Sequence, residues 1–172
     1  MSYLDANAFQ FSIEGVGYLD KGAPATHVVS IDDFNPLARC HVEGTVATLK
    51  LNFDDTRRSY TGAVNQPQPS CLNRLDEFLD PLLTSDDTTV LFHCTAGISR
   101  SAACALYLLL TLYDGDIKLA CEKLLQIRPQ ASPNPVIVKF IDDRLALRGK
   151  LLSYIDINER RLMIPGLSED WK

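Results

Sequence analysis

The residues with the most chemistry in this chain are consecutive: His93-Cys94-Thr95-Ala96-Gly97-Ile98-Ser99-Arg100-Ser101. They follow a short apolar, β-branched run, Thr88 to Phe92, and lead into an apolar stretch with helical character from about Ser99 to Tyr113. A loop that passes from a strand into a helix presents backbone N–H groups and the positive end of the helix dipole. Thr95, Ala96, Gly97, Ile98 and Ser99 would supply those N–H groups to a phosphate dianion. The same field lowers the pKa of a nearby thiol, so Cys94 is expected to act as a thiolate nucleophile. Gly97 lets the loop curl without a side chain in the way. Arg100 offers a planar fork for two phosphate oxygens. Ser101 can donate its hydroxyl to the sulfur and stabilise the thiolate when it leaves. No Gly-Lys-Ser/Thr follows the loop, so it is not a nucleotide-binding loop of the Walker type.

Such a loop needs a strand before it, a helix after it and other strands beside it. Phe9 to Ile13 reads as a first strand leading into a glycine-rich stretch, Gly15 to Gly22. His27 to Ile31 reads as a buried strand. From Thr45 to Phe53, Ala47, Leu49, Leu51 and Phe53 alternate with Val46, Thr48, Lys50 and Asn52, which is strand periodicity. Asp54 to Ser70 is polar, contains Gly62, Pro67 and Pro69, and reads as a long functional loop. Leu72, Leu75, Phe78, Leu79, Leu82 and Leu83 then share a helical face, with Ser70 as the expected N-cap and Pro81 expected to kink or end the helix. Asp114-Gly115 should break the helix after the loop, and Asp116 should cap the next, with Ile117, Ala120, Cys121, Leu124 and Ile127 inward. Asn134-Pro135 is a cap followed by proline at the first helical position, and Ile137, Phe140, Ile141 and Leu145 form that helix's stripe. After Gly149 the pattern weakens. We expect a catalytic domain over residues 1–152 and a tail of uncertain structure over residues 153–172. Strands alternating with helices indicate a layered α/β domain.

Composition narrows the function classes. A net charge of −5 disfavours nucleic-acid and anionic-membrane partners, which recruit basic patches. The most apolar stretch, Ala102 to Tyr113, is too short to span a bilayer. Met1 to Asp5 shows no basic region followed by an apolar run, so no secretory leader is expected. Five cysteines without regular spacing, and no C-x-x-C pair, do not form a disulfide framework. With three histidines, His27, His41 and His93, a zinc cluster is not expected either. A reducing, cytoplasmic location is the simplest reading. Cys40, Cys71, Cys104 and Cys121 are expected to be ordinary buried thiols.

The segment from His93 to Ser101 matches the H-C-x5-R-S/T signature of the protein tyrosine phosphatase superfamily. Ile127-Arg128-Pro129, followed by Pro133-Asn134 and a helix, resembles the arginine-proline and asparagine pattern of its dual-specificity phosphatase branch. The resemblance covers roughly Val28 to Leu145. It implies a central, mostly parallel sheet of four or five strands flanked by helices. It implies a two-step reaction through a cysteinyl-phosphate, without metal or other cofactor. It also implies a general acid on a loop upstream of the signature. In the family the acid often stands two residues after the apolar residue that ends the strand. After Phe53 this selects Asp55, with Asp54 as the alternative. Supporting roles fall to His93, which orients the loop by hydrogen bonds, to Ser101, and to Asn134, which caps a helix and can position the loop or water. Arg57 and Arg58 could receive an acidic substrate, or be merely solvated. Asp86 and Asp87 read as a solvated turn.

Departures from the family bear on the substrate. The sole tryptophan is Trp171, so the acid loop lacks the Trp-Pro-Asp motif of the larger tyrosine-specific enzymes. No lysine or arginine lies between Cys94 and Arg100, where phosphoinositide phosphatases often carry one. The expected substrate is therefore phosphotyrosine in proteins, with phosphoserine and phosphothreonine as further candidates. Alternatives are a small-molecule or nucleic-acid phosphate, a phosphopeptide-binding module without turnover, and thiol redox chemistry. The binding module is disfavoured by the presence of Cys94, Arg100 and an upstream aspartate. Redox chemistry lacks a clear resolving cysteine, although Cys104 is one short helix segment away. The sequence does not specify an oligomeric state.

Overall fold

The computed structural model describes residues 10–16, 25–33, 44–58, 64–83 and 88–162, with side chains as far as 156. Four strands form one sheet: β1 (Gln10–Gly15), β2 (His27–Asp32), β3 (Ala47–Asn52) and β4 (Thr89–Cys94). Their order is β1-β4-β2-β3 and every pairing is parallel. The expectation of four or five mostly parallel strands thus resolves to four, all parallel, among the described residues. β4 is central, and Val90 through Cys94 are all buried. Successive side chains point to opposite faces, so an unbroken buried run means both faces of β4 are covered.

The parallel register brings the carboxyl ends of the strands to one edge. Gly15 pairs with Cys94, Ser30 with His93 and Asp32 with Asn52. Ligands of open α/β sheets bind at this edge. The first strand runs on to Gly15, two residues past the expected Ile13, because its ladder with β4 continues as far as Cys94. β3 follows its periodicity: Leu49, Leu51 and Phe53 are buried while Thr48, Lys50 and Asn52 are exposed.

Five helices complete the described chain: α1 (Ser70–Leu79), α2 (Arg100–Leu112), α3 (Ile117–Ile127), α4 (Pro135–Arg144) and α5 (Lys150–Leu162). Ser70 is not the cap of α1. Pro69 holds that position in helical backbone and makes no side-chain capping bond. Proline's fixed φ already suits the helix, and the first N–H groups bond tightly back, Cys71 to Gln68 O and Leu72 to Pro69 O. The helix ends before Pro81, as expected. In α2 every residue from Arg100 to Leu110 is buried. A helix apolar all round belongs inside, and α2 packs on β4, β1, β2, α3 and α4. Among the described residues no helix is long and apolar enough to cross a membrane.

Asp116 caps α3 by accepting the Leu119 N–H at 3.0 Å. Asn134 caps α4, its Oδ1 accepting from Val136 N (3.0 Å) and Ile137 N (3.2 Å). The weak pattern after Gly149 folds as α5. Its start is capped from α4: buried Asp142 accepts from Gly149 N at 2.5 Å and from Leu151 N at 2.9 Å. α5 runs through position 152, and Leu152, Tyr154 and Ile155 pack against the core. Cys40, His41, Gly62, Asp86, Asp87, Trp171 and the glycines of the stretch beyond Gly15 lie outside the described residues.

Candidate active site

Cys94 ends β4 and Arg100 begins α2, so the five residues between them turn the chain from strand to helix. Gly97 adopts φ +66°, and a Cβ there would lie 2.4 Å from the Glu14 carbonyl carbon. Only glycine meets both conditions. Ser99 occupies the N-cap position of α2 without making a side-chain capping bond, and the first turn holds no acidic residue. The N-terminal N–H groups are thus neither capped by that side chain nor neutralised by a carboxylate, which suits an anion.

The Cys94 thiol is buried, and Ser101 Oγ lies 3.2 Å from its sulfur. Burial pushes the thiol pKa up. Hydrogen bonds from the Ser101 hydroxyl and from the N–H groups of Ser101, Gly97 and Ile98 outweigh it, and the net shift is downward from the usual 9.0. The other described thiols move the opposite way. Burial raises Cys71 to about 11 and Cys121 to about 12, and it raises Cys104 as well. His93 is fully buried, and burial lowers its pKa against the opposing pull of Asp32.

Arg100 is 2% exposed and crossed by three acceptors. Nη1 donates to Asp33 Oδ1 at 2.5 Å and to Phe53 O at 2.9 Å, and Nη2 donates to Thr95 Oγ1 at 2.9 Å. Its Nε is buried with no acceptor among the described residues. A buried donor left without a protein partner is costly, and it is what a guanidinium shaped for an oxyanion would present.

Asp55, on the loop after β3, meets the same turn. Its Oδ1 accepts from Ser99 Oγ at 2.6 Å and from Asn134 Nδ2 at 2.7 Å. Asn134 Nδ2 also donates to Thr56 O at 3.0 Å, and the Asn134 N–H to Ser99 O at 3.2 Å. One asparagine thus caps α4 and ties the Asp55 segment to the Cys94–Arg100 loop. Asp54 contributes through its backbone, its N–H to Asn65 O (2.7 Å) and its carbonyl from Thr56 N (2.8 Å). Of the two carboxylates, Asp55 is the one that touches the loop.

Three residues here were not singled out from sequence. Asp33 pairs with Arg100. Glu14 and Arg128 pair with each other at 3.1 Å behind the loop. Asp33 had a usable signal, because it directly follows a strand whose carboxyl end must face a site in a parallel sheet. Glu14 had the same signal one residue before the end of β1. Arg128 was read only as a helix end and part of a family pattern. Arg57 lines a separate cavity of about 390 Å³ with Pro133, Pro135, Val138 and residues of α5.

The family model of the dual specificity phosphatase catalytic domain matches residues 27–142. Among curated proteins, none is a significant match to this sequence. Solved structures with the same fold include human DUSP28 (TM-score 0.60, 17% identity, covering 81% of this chain and 94% of that one). DUSP15 is similar at TM-score 0.59 and 18% identity, over 86% of this chain and 90% of that one. PTPMT1 in complex with PI(5)P is similar at TM-score 0.53 and 19% identity, over 77% and 84%. At these identities the structures show the fold alone, whereas the family match spans well over half of the 172 residues. The chain belongs to the dual specificity phosphatase family and is a cysteine-type phosphatase.

Proposed function

We propose that this chain hydrolyses phosphotyrosine in proteins, with phosphoserine and phosphothreonine as further substrates, and that Cys94, Arg100 and Asp55 carry the reaction. The N–H groups of Thr95, Ala96, Gly97, Ile98 and Ser99 and the Arg100 guanidinium hold the phosphoryl oxygens. The Cys94 thiolate attacks phosphorus as the ester P–O bond breaks. Asp55, anchored through Oδ1 by Ser99 and Asn134, gives a proton from Oδ2 to the leaving oxygen. Water then attacks the cysteinyl-phosphate, the Asp55 carboxylate takes its proton, and the P–S bond breaks. Ser101 stabilises the departing thiolate. The positive charge this needs comes from Arg100 and the N–H groups, so no metal takes part.

The observation that carries this reading is a thiol whose pKa the Ser101 hydroxyl and loop N–H groups lower, in the same turn as an arginine whose buried Nε has no acceptor among the described residues. Protein substrates are favoured by the loop itself, which has no lysine or arginine between Cys94 and Arg100. A second reading, a lipid or other small phosphate, is motivated by the PI(5)P complex of PTPMT1. A panel of phosphopeptides, phosphoinositides, nucleotides and small phosphate esters, each with and without EDTA and vanadate, tests both. The expected result is fastest turnover of phosphotyrosine peptides, insensitive to EDTA and blocked by vanadate. Preference for the lipid headgroup would replace the first reading by the second, and loss of turnover on chelation would contradict both.

A further inference from the structure

A loop that turns its N–H groups toward an anion turns its carbonyls the other way, and buried carbonyls need donors. Arg128, the residue after α3, meets two of the loop's carbonyls, that of buried Gly97 and that of exposed Ala96. Its Nε donates to Gly97 O at 2.9 Å and its Nη2 to Ala96 O at 3.2 Å. Its Nη1 pairs with Glu14 Oε2 at 3.1 Å. The side chains of Arg128 and Glu14 are 18% and 23% exposed, so the pair is partly shielded from water. Glu14 faces His93 in the β1–β4 ladder, one residue from Cys94. The end of β1 also bears on the loop directly, through Val16 N–H to Thr95 O at 3.2 Å and the Glu14 backbone against Gly97.

The peptide units held by Arg128 are the ones that matter to the sulfur. A trans peptide is planar, with its C=O and N–H pointing oppositely, so fixing the oxygen fixes the hydrogen. The Ala96 carbonyl belongs to the unit that carries the Gly97 N–H, and the Gly97 carbonyl to the unit that carries the Ile98 N–H. Those two N–H groups are among the donors that lower the Cys94 pKa. We propose that Arg128, held by Glu14, is a positioning residue that locks these two peptide planes and so keeps their N–H groups aimed at the thiolate and at bound phosphate. The guanidinium behind the carbonyls also polarises the units in the favourable sense. The inference rests on the loop being a phosphate and thiolate site.

The test uses the full chain. Cys94 alkylation by iodoacetate is followed against pH, tungstate affinity is measured by calorimetry, and thermal unfolding serves as the fold control. Arg128→Met is expected to raise the alkylation midpoint by about one pH unit and to weaken tungstate about tenfold. Arg128→Lys, which keeps the charge but not the fork, should fall between Met and wild type. A folded Arg128→Met with the wild-type midpoint and tungstate affinity would overturn the proposal. If that variant does not fold, Glu14→Gln decides: it should shift both readouts in the same direction by less, and no shift would overturn the proposal. A wild-type Cys94 that alkylates like an ordinary thiol in a chain that binds no tungstate would overturn the site reading, and the positioning role with it.

Discussion

Cys71, Cys94, Cys104 and Cys121 are all buried, yet only Cys94 has a lowered pKa. Burial acts on each in the same direction, so the difference is the set of donors aimed at one sulfur. The chemistry proposed for the other residues follows from comparable local contacts. Arg100→Lys keeps the charge but loses the fork and the contacts to Asp33, Phe53 O and Thr95. Turnover should fall at least about a hundredfold, with weaker substrate affinity; steady-state kinetics on a phosphotyrosine peptide reads both. Asp55→Asn should slow that substrate by about 10²–10⁴-fold and flatten the basic limb of the pH–rate profile, with a smaller loss on esters that have better leaving groups. Asp54→Asn should do neither, since the Asp54 side chain makes no bond to the loop. Cys94 and Arg100 could be proposed from the sequence because the signature fixes their types and spacing, and Asp55 because the resemblance places an acid just after the strand that ends at Phe53. The bond from Ser99 to Asp55 was not legible, because it joins two loops 44 positions apart.

Elements were legible where local patterns suffice. Asn134-Pro135 and Asp116 cap their helices as the residue types suggest. α5 was missed after Gly149 because its cap is tertiary: Asp142, on the preceding helix, accepts from Gly149 and Leu151. The connection that allows this includes Ala146 at φ +52°, Arg148 at +57° and Gly149 at +80°, left-handed backbone that periodicity does not report. Asp142→Ala would leave two N–H groups without their carboxylate. It should lower stability by about 2–3 kcal/mol, read from urea denaturation, while turnover at permissive temperature stays near wild type. A change below about 0.5 kcal/mol would mean water replaces this cap.

At the scale of the whole molecule, the parallel sheet explains why residues distant in sequence meet. Glu14, Asp33, Asp55 and Cys94 all lie at or just beyond the carboxyl ends of their strands, and the shared parallel direction of those strands brings them to one edge. The alternation of strands and helices revealed the layered class, but not the order β1-β4-β2-β3, which depends on long-range pairing. The same buried core sets an alkaline limit. Folding raises Cys71 from 9.0 to about 11 and Cys121 from 9.0 to about 12, chiefly by burial. The unfolded chain therefore loses these protons first, the native state binds more of them, and stability falls as pH rises through that window. Urea midpoints should drop between about pH 9 and about pH 12, and Cys71→Ala should lessen the drop. The central claim, that this fold exists to make and break a bond from Cys94 to phosphorus, is tested most directly by acid-quenched turnover of a phosphotyrosine peptide followed by mass spectrometry of the proteolysed enzyme. A phosphoryl adduct is expected on the peptide carrying Cys94, with neither adduct nor turnover in a folded Cys94→Ser variant. Turnover that persists in Cys94→Ser, or an adduct on another residue, would contradict it.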